Sequence, residues 1–501
     1  MLRNRSTVIF AFVLAIALAI LVAGTAAQAQ VSGSGTASSP MVYDLPVQGP
    51  PTTNVLVQGT GFDPLTAVDV YFDSTKLAST TTDRNGAFGN GVVTATGPTF
   101  TRLQVPANAQ PGQHTITAQE RIGQRSAQKS FLVQTDWLQF RFDAQHSGFN
   151  LYENTLNPSN VQNLVQDWQY PLPAQVWGNP VVANGVTYFT TGYPDFTLYA
   201  VDTTTGALLW KSASGQAGGT SPTVVNGIVY IGAQKPNVGL SAFNAATGEL
   251  MWQYVSASVP TEPIVAEGVA YIGSDTAMVA LNSSTGKPLW SYETGAAVQA
   301  PALANGKLYF QSIYFIYPST YVNTLYAVDA TSHQLLWQQQ WTLAWALIPP
   351  PVVGGGVVYF DGAAFDANTG TLLWGGPSGD DTISAMANGV VYNTIQYGQS
   401  VQAMDAVTGT TLWASQSGGQ LEGTPAVANG VVYFESDDGY AYAVSAATGA
   451  PLWKYNVSSH GPASPVVADG IVYFPSHAGS GGLWAFHLPS QPSEHSSLQQ
   501  H

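Results

Sequence analysis

Eight times between residues 180 and 473 the chain repeats an apolar run, a tight turn and a second apolar run ending in tyrosine. The first copy is Pro180-Val181-Val182-Ala183-Asn184-Gly185-Val186-Thr187-Tyr188. Its turn glycines are Gly185, Gly227, Gly268, Gly306, Gly356, Gly389, Gly430 and Gly470, with the longest interval before Gly356 and the shortest after it. The mean period fits one four-stranded unit per repeat, and a unit of this size buries its apolar faces only by stacking on copies of itself. A second half recurs seven times: Ala200-Val201-Asp202-Thr203-Thr204-Thr205-Gly206-Ala207-Leu208-Leu209-Trp210, then copies ending at Trp252, Trp290, Trp337, Trp374, Trp413 and Trp453. The pattern predicts an all-β chain whose residues 135–488 form an eight-bladed β-propeller.

Each unit reads as four strands, A to D. In a meander, alternate connections share a face, so the A–B turn and the Thr-Gly C–D turn are expected together on one face. The variable D–A and B–C connections share the other. Eight first halves meet only seven second halves, because the last unit ends at Leu483-Trp484-Ala485-Phe486-His487-Leu488. The missing outer strand is expected at the front, around Trp168, which precedes Trp210 by one blade length. Lending that strand to the last blade closes the ring and removes an exposed edge.

The recurring residues have structural roles. The tryptophan wedges against the next blade, the small residue at the head of the motif leaves room for it, the Asp or Asn bonds turn amides, and the glycine supplies a positive φ. This set resembles the tryptophan-docking motif of the pyrroloquinoline quinone (PQQ) repeat family, over Trp137 to Leu488. The resemblance implies an eight-bladed propeller. Its best-known enzymes are quinoprotein dehydrogenases, which bind PQQ with calcium at the propeller axis and use an aspartate base. Other members are non-enzymatic, among them a periplasmic lipoprotein that helps to assemble outer-membrane barrels. This chain has no cysteine, and so neither the adjacent cysteine pair of the alcohol dehydrogenases nor a lipidated cysteine. Their calcium-binding Glu, Asn and Asp have no residue-by-residue match here.

Ahead of the repeats, Arg3 and Arg5, the apolar run from Val8 to Ala23 and Ala27-Gln28-Ala29 form a secretory signal over residues 1–29, with cleavage expected after Ala29. The membrane is reached only if that segment is retained. A linker, 30–40, leads to a β-sandwich, 41–134, in which Asp83-Arg84-Asn85-Gly86 is a hairpin turn. The run Val57-Gln58-Gly59-Thr60-Gly61-Phe62-Asp63-Pro64, with Pro111-Gly112-Gln113-His114-Thr115, resembles bacterial cell-surface immunoglobulin-like domains. The acids Asp69, Asp73 and Asp83 lack calcium-loop spacing. A polar tail, 489–501, is expected to be disordered. Charged residues make up 9% of the chain and its net charge is −15; without a Lys/Arg cluster, nucleic acid is not an expected partner. No Ser/His/Asp set or paired His ligands has interpretable spacing, so no catalytic residue and no metal ligand is assigned.

Ligand candidates therefore come from the variable face. The B–C connection 311–321 carries Tyr314 and Tyr317, and the D–A connection 341–345 carries Trp341 and Trp345. They flank one blade, and an aromatic platform there suits a glycan, another extracellular polymer or a protein anchor. Just before strand A, Trp177, Glu262 and Gln299 replace the usual small residues, with Glu422 placed similarly. The two acids, four blades apart, suit solvated side chains better than one shared site. The expected function is a secreted or bacterial cell-envelope binding protein that uses the propeller as a rigid display scaffold. A PQQ-dependent oxidoreductase and an envelope-assembly scaffold are the alternatives, and PQQ with calcium is the cofactor the first of these implies.

Overall fold

The computed structural model describes residues 39–89, 93–94, 97–98, 101–172, 174–212, 220–233, 238–258, 260–344, 350–376, 383–395, 399–421, 423–459, 464–476 and 482–489. The expected leader, most of the linker and the tail from 490 lie outside these residues. Every regular element described is a strand except one turn of 3-10 helix, Val161–Asn163. No helix among them is long and apolar enough to cross a membrane.

Residues 41–133 form a two-sheet sandwich. One sheet holds Met41–Leu45, Asn54–Thr60 and Thr101–Gln104; the other orders Gln48–Gly49, Ser126–Val133, Gly112–Glu120, Ala67–Phe72 and Thr75–Thr81. Alternation along Asn54–Thr60 turns Val55 and Val57 inward, against Val68, Val70, Phe72, Ile116 and Phe131. Asp69 and Asp83 are committed to local bonds. Asp69 pairs with Lys76 at 2.9 Å and Arg121 at 2.7 Å. Asp83 accepts the amides of Asn85 and Ala87 in the expected turn.

Eight blade sheets, each an antiparallel meander, follow among the described residues. Blades 1 to 7 cover residues 176–211, 223–255, 264–293, 297–343, 352–375, 383–416 and 426–459. Blade 8 covers 466–487 and takes its outer strand from Val165–Pro171, where Trp168 stands opposite Ala485 as Trp210 stands opposite Ala200 in blade 1. The ring closes where the seven-against-eight count requires. First strands of neighbouring blades approach one another around the axis, which makes strand A innermost.

In blades 1 to 7 the two tight turns do share a face. Both central residues of the A–B turn have positive φ, as at Asn184 (53°) and Gly185 (75°), the conformation of a twist-matched hairpin turn. The amide of Thr203 in the C–D turn donates to the Gly185 carbonyl at 3.0 Å, and Ala245 to Gly227, Ala406 to Gly389 and Ala446 to Gly430 do the same. The sandwich sits against this face at blades 8 and 1. Asn154 donates to the Ala107 and Ala109 carbonyls, Gln48 to Asn184, and Thr135 and Asp469 bond each other reciprocally. Burial, reinforced by the Asp469 charge, raises Asp136 at this seam to about 7; burial, with Glu153 adding to it, raises Asp469 to about 6.

Neighbouring blades are latched through one carbonyl. Trp210 Nε1 donates to the Ala245 oxygen of blade 2 at 2.9 Å, and the Tyr188 hydroxyl donates to the same atom at 3.1 Å. Trp252 with Tyr230 holds Ser283, Trp337 with Tyr309 holds Ala367, and Trp413 with Tyr392 holds Ala446. At the ring closure Trp168 reaches the Thr203 carbonyl at 3.0 Å. The motif glycine is needed for more than its φ: a Cβ on Gly248 would stand 2.5 Å from the Trp210 ring. Blade 4 has His333 at that place, with φ 61°, and Trp290 stacks on its ring at 4.4 Å.

This geometry gives opposite signs to two substitutions at equivalent sites. Gly248→Ala should destabilise by about 2 kcal/mol, from a strained φ and an unseated tryptophan. His333→Gly should stabilise by about 1 kcal/mol, because relief of the left-handed strain exceeds the added chain entropy. Denaturant unfolding followed by tryptophan fluorescence checks both; shifts of the same sign would contradict the latch.

Candidate functional site

Strand A of every blade turns one edge towards the axis, where unpaired amides and carbonyls would be buried without partners. Residues 137–150, which precede the first blade and carry no repeat, fill that space. Trp137 exchanges backbone bonds with Val182 of blade 1 at 2.9 and 2.8 Å, and the Leu138 carbonyl accepts Val224 of blade 2 at 2.8 Å. The Gln139 side chain accepts from the Val265 amide at 3.0 Å and donates to its carbonyl at 3.3 Å. Carbonyls of Ala144, Gln145, Ser147 and Gly148 then accept Leu303, Val353, Met386 and Val427 of blades 4 to 7, at 2.6, 3.0, 2.7 and 2.8 Å. Asn150 Nδ2 completes the circuit on the Val467 carbonyl of blade 8 at 2.8 Å. In all eight blades the contacted residue lies six before the strand-B tyrosine. The segment is an axial plug with one anchorage per blade.

Such a path bends sharply. Arg141, Phe142 and His146 have φ of 53°, 80° and 57°, a region costly for side-chain-bearing residues unless the surroundings over-determine it. Asp143 braces the bend by accepting the Gln145 and Ser147 amides and the Ser147 hydroxyl. Burial raises Asp143 to about 6, against these bonds.

The variable-face end of the plug presents Arg141. Its side chain is buried at 4% exposure, lies over the Phe140 ring at 4.9 Å, and donates from Nη1 to the Pro350 carbonyl at 3.3 Å. Its Nε–H has no hydrogen-bond partner. Burial lowers Arg141 to about 10, with the Glu262 charge pulling the other way. His146 is edge-on to Phe140 at 5.3 Å, with the Pro351 backbone near its ring. Burial and the Arg141 charge lower it to about 3, so its imidazole is neutral. Beside Arg141 lies a cavity of about 10 Å³ whose polar lining is Arg141, Asn179, Thr424 and Ser464, with Trp137 and Gly148 below.

The sequence candidates divide around this mouth. Trp177 stands two residues before Asn179, at 49% exposure, with its ring over Gly192. Glu262 is partly buried rather than fully solvated, and desolvation raises its pKa, with the Arg141 charge opposing. Gln299 is partly buried and its backbone bonds Gln311 of the next strand. Tyr314 and Tyr317 lie on a hairpin of blade 4 whose strands, Lys307–Ile316 and Thr320–Asp329, outrun those of the other blades, and they are 56% and 86% exposed. Trp341 is not on that exposed surface. It pairs with Asn323 on the strand face turned to blade 5, where it packs on Phe360 at 5.4 Å and stacks on Phe365 at 6.2 Å. The platform is thus a tyrosine tip without Trp341; Trp345 and Glu422 lie outside the described residues.

The described residues do not fit PQQ with calcium. A drug-sized cofactor takes a pocket of about 300 Å³ or more, and calcium takes six to eight oxygens. At the axis the cavity is of water size and no acid among the described residues lines it; the Glu262 charge acts on Arg141 only through space. Among the described residues no group of three or more His, Asp or Glu is placed to hold a metal.

The PQQ-repeat family described as outer membrane protein assembly factor BamB matches residues 159–300, 256–388 and 361–488. No curated protein matches the chain. Among solved structures, quinohemoprotein alcohol dehydrogenase ADHIIG from Pseudomonas putida HK5 is similar over 72% of this chain and 81% of its own, with 17% identity and a TM-score of 0.59. Quinohemoprotein alcohol dehydrogenase from Comamonas testosteroni gives 72%, 81%, 16% and 0.57. The computationally designed protein Ika8 gives 65%, 99%, 18% and 0.54. A designed protein and two enzymes resemble the chain about equally, so these likenesses speak for fold alone.

The plug generates one direct test. Gln139→Leu leaves the Val265 amide and carbonyl buried without their partner and should cost about 2 kcal/mol of stability. Unfolding midpoints equal to those of the parent chain would show that the plug does not brace blade 3.

Proposed function

The chain belongs to the PQQ-repeat family described as outer membrane protein assembly factor BamB, and on that premise we propose that it is a binding protein of the bacterial cell envelope whose plugged propeller is a rigid display ring. One observation carries this reading: the axis is filled by residues 137–150, bonded to every blade. A solid ring of this kind keeps its loops at fixed spacing and leaves recognition to the variable face. That face is open, because the sandwich contacts the turns of the opposite one. In this reading the sandwich is an immunoglobulin-like spacer, and the chain is secreted with cleavage after Ala29.

The blade 4 hairpin is the recognition element. Tyr314, Phe315, Ile316 and Tyr317 are all at least 45% exposed at its tip. Behind the tip, Phe315 and Tyr321 pack at 4.8 Å, and Trp341 ties the hairpin to blade 5. Half-exposed aromatics on a stiff support bind at low ordering cost, which suits a glycan, a polymer or a protein anchor.

A chain begun at Gln30 would be screened on a glycan array and against purified peptidoglycan and envelope proteins. Any ligand found should bind the Tyr314→Ala/Tyr317→Ala chain at least about tenfold more weakly, with the melting temperature unchanged. Equal binding by the double variant would remove the hairpin from the account. The oxidoreductase alternative is tested separately, by titrating PQQ with calcium. A saturable absorbance change with alcohol- or sugar-dependent dye reduction would replace the binding reading with an enzymatic one.

A further inference from the structure

We propose that the axial mouth on the variable face is a carboxylate-binding pocket built on Arg141. This site is separate from the blade 4 hairpin and shares no residue with it. The physical ground is an unbalanced charge. A guanidinium at 4% exposure is rare without an anion against it, because an unpaired buried charge is expensive. Arg141 is in no ion pair among the described residues; it has the Pro350 carbonyl, the face of Phe140, and a bare Nε–H. Glu262 acts on it only through space.

What lines the cavity beside Arg141 is suited to an anion. Asn179, Thr424 and Ser464 line the cavity with Arg141, and each has a side chain able to donate a hydrogen bond. They come from blades 1, 7 and 8, whereas Glu262 and Pro350 come from blades 3 and 5, so donors and acid stand on opposite sides of the plug. The Ser464 hydroxyl is positioned by the Thr424 amide at 2.9 Å. The cavity is of water size, so a carboxylate would seat one oxygen there, with its carbon and second oxygen at the opening. The guanidinium fork matches a planar carboxylate, while a phosphate dianion would meet a chain of net charge −15 with one cation to hold it. The remainder of the ligand would lie outward, towards the rim that carries Trp177.

A free small acid and the carboxylate end of a polypeptide share this chemistry, and calorimetry on the chain begun at Gln30 separates them. The probes are acetate, inorganic phosphate, and penta-alanine with a free or an amidated C-terminus. We expect saturable acetate binding with a Kd of about 1 mM or tighter, and phosphate at least about tenfold weaker. Free penta-alanine binding more tightly than acetate, with the amide silent, identifies a chain end as the source; acetate binding with both peptides silent identifies a small acid. Arg141→Gln should abolish binding, and Asn179→Leu, which keeps Arg141 and narrows the cavity, should weaken it at least about fivefold. Glu262→Gln removes the opposing charge and should tighten binding about threefold or more, a gain that a purely structural arginine would not produce. Absence of saturable acetate binding by both the parent chain and Glu262→Gln would overturn the pocket, as would equal acetate affinity in a folded Arg141→Gln chain. Failure here leaves the hairpin assay untouched.

Discussion

Eight inner strands meeting at one axis create a problem of unpaired backbone. Each presents an edge whose amides and carbonyls are shut away from water, and each such group left alone costs about 1–3 kcal/mol. The chain answers with the segment 137–150, which bonds every blade at one equivalent position. Much of the molecule follows from this. The axis becomes a packed core instead of a channel, the bend of the plug forces Arg141 and His146 inward, and function is pushed to the rim of the variable face.

The outer edge is held by different means. There, an indole N–H and a tyrosine hydroxyl converge on one carbonyl of the next blade, and a glycine without a Cβ lets the indole lie flat. His333 shows the tolerance of the arrangement: its ring takes up the stack with Trp290 where a glycine would have lain beneath it. Six seams seat a tryptophan ring over a motif glycine and one over His333; the ring survives the improvised seam because each blade is also fixed at the axis.

The periodicity made the outer half of this architecture legible. Eight turn glycines against seven Leu-Trp strands located the closure at Trp168, and meander geometry put both tight turns on one face. The plug was not legible, because it is held mostly by its backbone carbonyls, which any residue supplies. Its side-chain bonds to the blades come from Gln139, Arg141 and Asn150, single residues outside the repeat. The aromatic candidates failed in part for a related reason. Tyr314 and Trp341 lie on adjacent loops in sequence, yet pairing of Asn323 with Trp341 turns the indole towards blade 5, and that register follows from strand length that composition does not reveal. Glu262, expected to be solvated, is partly buried within reach of the Arg141 charge, and nothing in the repeats announces that arginine.

Native-state hydrogen exchange tests the central claim, that the plug is an integral part of the closed ring. The amides of Leu303, Val353, Met386 and Val427 donate to plug carbonyls on four different blades. If the plug is integral, these four exchange only through global unfolding, with the same free energy as the amides of the central strands. Exchange of all four at a common, much lower free energy, while the central strands stay protected, would show a plug that leaves the axis independently and would contradict the account.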